Sequence, residues 1–308
     1  MRETPAGFQR AVEQRTLADL PSDGVLLRVR YSSLNYKDAL SASGHRGVTK
    51  HYPHTPGIDA MSDDIIVTGF DLGMNTPGGW AQYVRVPTDW LVPRPPSLTP
   101  RQCAIYGTAG LTAAQCVWRI QQHGIQPGSL VVVTGATGGV GCLATAILAH
   151  LGYRVTAVTG KAHLTGWLQT IGAAEVIPRD AFLQTPNKPL LSARWDAGVD
   201  TVGGAMLPVV LRQIRHRGLV TACGNVGGAE FTSSVYPFIL RGVTLAGIDT
   251  AQCPMEQRRM LWTKLAGDWR PPVLDMLARE CTLDELNREI DRMLRGEQFG
   301  RVIVRLDA

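Results

Sequence analysis

The sequence predicts an α/β protein centred on a doubly wound parallel sheet. Three observations carry that prediction. Strand-like apolar runs alternate with helix-like segments through residues 99–251, and parallel strands need such crossovers. The stretch VVVTGATGGVGCLATAILAHLGYRVTAVTGK, from Val131 to Lys161, reads as strand, glycine turn, helix, strand. The chain has 308 residues, 44% hydrophobic and 19% charged, which suits an ordinary globular protein of two domains.

Residues 24–36, GVLLRVRYSSLNY, alternate apolar and polar and predict a half-buried strand. From Gly44 to Gly79 glycine and proline predict loops with short strands. WAQYVRVPTDWLVPRPPSL predicts a strand closed by Pro93, Pro95 and Pro96, which resemble a domain linker. A helix follows, with Thr99 as a candidate cap and Pro100 in its first turn. Next come strand 130–134, helix 139–151, strand 154–159, helix 161–171 and a short strand over Glu175–Ile177. WDAGVDTVGG and GLVTACGNVGG predict two further strand-to-glycine-turn units, and VTLAGID another strand. The last stretch predicts one or two amphipathic helices and a final strand, RVIVRL. The expected division is 1–98, 99–251 and 252–308, with no internal repeat.

The glycine turn, GATGGVG, runs from Gly135 to Gly141. Aligned to GxGxxG, its key positions are Ala136, Gly138 and Gly141. Alanine is tolerable at the first if that position needs no positive φ. Gly138 lets backbone approach a pyrophosphate, and Gly141 lets the helix pack closely on the sheet. The helix start adds free N–H groups and a favourable dipole. Dinucleotide sites that take NAD tend to carry an acid at the end of the next strand, for the ribose hydroxyls. Here that strand ends in Thr159-Gly160-Lys161, and no acid lies between Gly152 and Ala174. A hydroxyl and an ammonium favour a 2′-phosphate, so the expected cofactor is NADPH. Arg179 is placed to add a guanidinium. The competing reading makes Lys161 and Arg179 ordinary solvated side chains.

The net charge of +5 is spread along the chain and argues against a nucleic-acid partner. No apolar run is long enough to span a bilayer, and the N-terminal stretch lacks the apolar core of a signal peptide. The expected location is the cytoplasm. The six cysteines include no CxxC pair, so neither a structural zinc site nor a disulfide framework is expected. His45, His51 and His54 have no helical metal-ligand spacing and read as loop histidines.

SSLNYKDAL, PGID, GGWAQYVRVPTDWLV, GTAGLTA, VVVTGATGGVG, DTVGG, ACGNVGG and PFILRGVTLAGID occur in this order. Together they resemble the zinc-independent medium-chain dehydrogenase/reductases, and within them the acrylyl-CoA reductase branch, often labelled quinone oxidoreductases. The glycine turn alone is generic; NYKDAL, GTAGLTA and PFILRGVTLAGID together are specific. The resemblance runs from about Gly24 to Arg305. It implies a GroES-like, mostly-β catalytic domain built from 1–98 and the returning 252–308, around a Rossmann domain at 99–251, usually in a homodimer. By the same resemblance Tyr36 touches the nicotinamide end, and Thr137, Gly138, Gly139 and Val140 hold the pyrophosphate. Thr159, Gly160, Lys161 and Arg179 hold the 2′-phosphate side. Asn225, Ile239, Thr250 and Arg301 complete the cofactor cleft. Two departures stand out. GIDAMSDDIIVTG is shorter than the family pattern, and the family's first strand has no counterpart before RETPAGFQ. Both are expected to expose sheet edges and to weaken substrate binding more than cofactor binding.

The implied reaction is NADPH-dependent reduction of the C=C bond of a short α,β-unsaturated acyl-CoA. Without zinc an alcohol oxygen lacks its usual Lewis acid, whereas hydride addition to an activated C=C needs only stabilisation of charge on the thioester oxygen. Tyr36 is the first candidate for orientation or proton donation, or it only packs on the nicotinamide. Asn35 donates to substrate or fixes its loop. Lys37 and Asp38 pair or stabilise that loop. Arg46, Lys50, Arg85 and Arg241 are candidates for CoA phosphates. The competing functions are a quinone or reactive-enone reductase and a non-catalytic NADPH-binding protein.

Overall fold

The computed structural model describes residues 1–306. The chain forms two compact units, one of Met1–Leu111, Thr250–Gly267 and the segment from Leu274 onward, the other of Thr112–Asp249 with Asp268–Val273. The division falls after Leu111, inside the helix Pro100–Gln122, and not at the Pro93–Pro96 stretch. Residues before Leu111 are held in the first unit by side chains: the Tyr106 hydroxyl donates to the Leu265 carbonyl at 3.1 Å.

The second unit carries a six-stranded sheet, with β1 (Leu130–Thr134), β2 (Arg154–Thr159), β3 (Ala173–Pro178), β4 (Trp195–Asp200), β5 (Ile214–Ala222) and β6 (Thr244–Gly247). Their spatial order is β3-β2-β1-β4-β5-β6, and every pairing is parallel. This is the doubly wound Rossmann arrangement. Helices on both faces explain why β1 is continuously apolar: Val131, Val132 and Val133 are all buried. Val132, Val158, Trp195, Val210 and Val220 share one core cluster. The expected helix over 161–171 is instead a short 3-10 turn, Ala162–Leu164, followed by Thr165–Thr170. The expected short strand is longer, because Glu175–Pro178 stay in register beside Thr156–Thr159.

The first unit carries a six-stranded sheet in the order Ala278–Cys281, Arg301–Arg305, Tyr31–Leu34, Asp59–Met61, Ile65–Thr68, Val92–Pro93. Val25–Arg28 and Tyr83–Val86 form a separate antiparallel pair. The single strand expected over 24–36 is therefore two strands with different partners. The shortened GIDAMSDDIIVTG segment closes as a hairpin in which the Ser62 Oγ accepts the Ile65 N–H at 2.9 Å. Ile65–Thr68 is paired on both sides, so the exposed edge expected there does not arise. The core of this unit includes Leu27, Leu34, Val67, Val84, Val302 and Val304. Among the described residues no helix is long and apolar enough to cross a membrane.

Candidate cofactor turn and buried acid cluster

The order of strands reverses between β1 and β4, and the carboxyl ends of such strands border a ligand crevice. Thr134, ending β1, donates from Oγ1 to Asp200 Oδ1 at 2.6 Å, and Thr201 Oγ1 donates to the Thr134 carbonyl at 2.9 Å. The turn then leaves through Gly135, whose φ of 59° favours glycine. Ala136 needs no such conformation, which explains why alanine suffices at the first motif position. Gly138 caps the helix Gly139–His150. A Cβ on Gly141 would sit 2.3 Å from the Gly135 carbonyl oxygen, so this glycine sets the approach of helix to turn.

Around this turn the fold brings together several predicted residues. Thr137 and Thr159 are buried, with hydroxyls 3.1 Å apart. Thr159 Oγ1 accepts the Lys161 N–H at 3.0 Å. The Arg179 guanidinium, starting the helix after β3, lies over Gly160: a Cβ there would be 3.1 Å from Cζ. Burial and then the nearby Arg179 push the Lys161 ammonium below its ordinary pKa. The acid next to Arg179 is exposed Asp180, at 3.3 Å; Glu175 is engaged by Arg194 and Thr156. Two cations thus meet at the ends of β2 and β3, beside a helix N-terminus. That donor set fits a phosphorylated ribose, and the turn fits a pyrophosphate. Asn225 lies in an exposed turn, and Ile239 is 67% exposed on the helix Tyr236–Arg241.

The remaining predicted residues belong to the first unit. Asn35 caps the helix Tyr36–Ser41, and Tyr36 is 40% exposed at its first position. The Asn35 Nδ2 donates to Asp38 Oδ2 at 3.0 Å, Asp59 Oδ2 at 2.9 Å and Ser33 Oγ at 3.2 Å, while its Oδ1 accepts from Arg301 Nη1 at 3.1 Å. Of the two readings for Asn35, this geometry favours fixing the loop. Arg301 is only 2% exposed and donates to the Ile105 carbonyl (2.9 Å) and Ser33 Oγ (2.8 Å), with Asp59 Oδ2 at 3.9 Å. Thr250 is buried, and its carbonyl accepts from Arg258 at 3.0 Å.

Asp59 is the centre of this cluster, and no sequence motif singles it out. Its oxygens accept from Ser33, Asn35, and both the N–H (2.8 Å) and hydroxyl (2.7 Å) of Thr108. The Thr108 N–H is available because the helix breaks at Gly107, with φ 51° and ψ −154°. Only glycine fits: a Cβ would lie 2.5 Å from Asp59 Oδ2 and 3.0 Å from Arg301 Nη2. The signal was present in the sequence as PGID followed by GTAG, but neither segment alone announces a buried carboxylate.

Burial, and then the charge of Asp59, raise the Asp38 carboxyl to about 7, against the opposing hydrogen bonds from Asn35 and Ile58. A carboxyl whose folded pKa is raised contributes stability that is complete below its unfolded pKa and is lost as pH rises. The expected loss is roughly 4 kcal/mol at most between about pH 4 and about pH 7. Urea unfolding across that window should show it, and Asp38→Asn should flatten the slope; equal slopes would refute it.

The arginines proposed for CoA phosphates are in part otherwise engaged. Arg46 pairs with Glu3 at 2.5 Å and covers the Phe8 and Tyr52 rings. Arg241 donates to the carbonyls of Arg212 and Ile214, each at 3.0 Å. His54 is buried, with Nε2 2.8 Å from the Gly73 carbonyl.

Residues 139–266 match a family model described as zinc-binding dehydrogenase. The chain is 42% identical over 314 residues to acrylyl-CoA reductase AcuI of Ruegeria pomeroyi, covering 97% of this chain and 95% of that protein. It superposes on Escherichia coli K-12 YhdH with bound NADPH at a TM-score of 0.92 and 37% identity, covering 96% and 95% of the two chains. The Bacillus subtilis YhfP structure, with NAD bound, gives a TM-score of 0.93 at 41% identity, covering 96% and 94%. YhfP carries the name "Putative quinone oxidoreductase YhfP" and is 42% identical over 304 residues, 94% of this chain and 92% of that protein. The chain belongs to the medium-chain dehydrogenase/reductase oxidoreductases, in the quinone oxidoreductase-like branch that includes the acrylyl-CoA reductases.

Proposed function

We propose that this protein uses NADPH to reduce the C=C bond of a short α,β-unsaturated acyl-CoA. The observation that carries the cofactor choice is Lys161 and Arg179 meeting at Gly160, with no carboxylate ending β2. An acid there would repel a 2′-phosphate; two cations and the Thr159 side attract it. Thr137, Gly138, Gly139 and Val140 cradle the pyrophosphate at the helix N-terminus. Asn225 and Ile239 contribute to the same cleft. Arg301 and Thr250 belong to the first unit, where the buried Arg301 guanidinium holds the Ile105 carbonyl and the Ser33 hydroxyl.

The thioester acceptor is supported by the relation to acrylyl-CoA reductase. When bound in this turn, NADPH would supply a hydride for the β-carbon. The C=C electron pair moves toward the thioester oxygen, and one proton must then reach the α-carbon. Tyr36 orients the substrate and supplies that proton from its exposed phenol. Asn35 holds Tyr36 in place.

A quinone acceptor is the second reading, favoured by the relation to YhfP. The test is NADPH consumption with acryloyl-CoA beside a quinone of similar size, each repeated with NADH. The account expects fast turnover with NADPH and the thioester. Faster turnover with the quinone would overturn the acceptor, and NADPH binding without turnover would make the protein a non-catalytic binder.

The working form in this reading is a homodimer. Strand β6 ends its sheet, and Phe231, Val235, Tyr236 and Leu240 are exposed near it in sequence. Such an edge and a run of exposed apolar side chains suit a second copy; a monomer by light scattering would defeat this. The six free thiols fit a reducing compartment such as the cytoplasm.

A further inference from the structure

Asp38 lies on the helix Tyr36–Ser41 and is wholly buried. Its Oδ2 accepts the Asn35 backbone N–H at 2.9 Å and Asn35 Nδ2 at 3.0 Å. Its Oδ1 accepts the Ile58 backbone N–H at 2.8 Å. One carboxyl therefore joins the residue before Tyr36 to the residue before Asp59. A six-residue helix cannot fix its own first turn. The turn's position is set by these bonds, by the Asn35 link to Asp59 and by Arg301 on Asn35 Oδ1. Tyr36, 40% exposed, stands at the start of this tethered turn.

We propose that Asp38 is the positioning residue for Tyr36: its buried carboxyl, bridging Asn35 and Ile58, fixes where the phenol stands. The proposal rests on the reading of Tyr36 as acting at the substrate. Its chemistry calls for a carboxyl with two acceptor oxygens. In Asp38→Asn one oxygen becomes an amide NH₂, so either the Asn35 or the Ile58 N–H faces a donor.

The test is a double-substitution cycle with an independent structural readout. Asp38→Asn is expected to lower turnover on the order of 10- to 100-fold through misplacement of the phenol. The KM for NADPH should stay within about twofold, and in a Tyr36→Phe background the same change should cost less than about twofold. Equal losses in both backgrounds, or a parallel loss of NADPH affinity, would overturn the proposal. With 3-fluorotyrosine at the seven tyrosines, the ¹⁹F line missing from Tyr36→Phe identifies Tyr36. That line should shift or broaden in Asp38→Asn while the others hold. An unchanged line, or movement of all lines, would refute positioning even if the protein reduces no acceptor. Full turnover in Tyr36→Phe would refute the donor role separately, and the fluorine line would still decide whether Asp38 fixes the ring. If Asp38→Asn does not fold, Asp38→Glu serves: it keeps both acceptors on a longer stem and should move the same line.

Discussion

Replacing both Lys161 and Arg179 with alanine will weaken NADPH binding by about 10- to 100-fold while leaving NADH binding within about twofold. The reason is local. Lys161 and Arg179 converge at Gly160, and burial, with the nearby Arg179 charge adding to it, lowers the Lys161 pKa. Two like charges held close repel in the free protein, and a bound dianion relieves that repulsion. Both side chains remain partly exposed, so the expected effect is well below that of two buried ion pairs. Fluorescence titration of each nucleotide measures it. Equal weakening of NADPH and NADH would mean that these residues touch a part common to both. No change for either would return them to ordinary solvated side chains.

Arg301→Met will destabilise the protein by about 3–5 kcal/mol, because it leaves the Asp59 carboxylate buried without a cation. Asp59 is fully buried and Arg301 is 2% exposed, with Nη2 3.9 Å from Asp59 Oδ2. Thr108, Ser33 and Asn35 still donate to Asp59 in the variant, which keeps the expected loss within the range for breaking a single pair. Asp59→Asn combined with Arg301→Met should recover part of the loss, since no orphan charge then remains. Urea unfolding reads all three proteins. A variant that keeps its stability but loses NADPH affinity would restore Arg301 to the cofactor-contact role first expected of it.

What was legible in the sequence follows from what local pattern encodes. The glycine turn and the acid-free end of β2 are contiguous features, so the Rossmann unit and the placement of Thr159, Gly160 and Lys161 at its strand end were readable in order. Arg179 was also within reach because it directly follows a predicted strand. The cluster around Asp59 was not readable, because it joins strand Tyr31–Leu34, the segment at Asp59, the Gly107 break and strand Arg301–Arg305. No local pattern states that these four places meet. Asn35 shows the same limit. Its position in NYKD marked it as important, but only its bonds to Asp38, Asp59 and Arg301 distinguish a scaffold amide from a substrate donor. The shortened GIDAMSDDIIVTG segment misled for a related reason. A missing loop looks like an exposed edge in sequence, while Ser62 closes the remaining strands into a hairpin.

The most direct test of the central claim is to follow the hydride itself. The protein is supplied with NADPH carrying deuterium at the transferred position of the nicotinamide, and with acryloyl-CoA. The account predicts propionyl-CoA with one deuterium on the β-carbon and a solvent proton on the α-carbon. Deuterium absent from the β-carbon, or acryloyl-CoA recovered unchanged while a quinone consumes the same nucleotide, would contradict it.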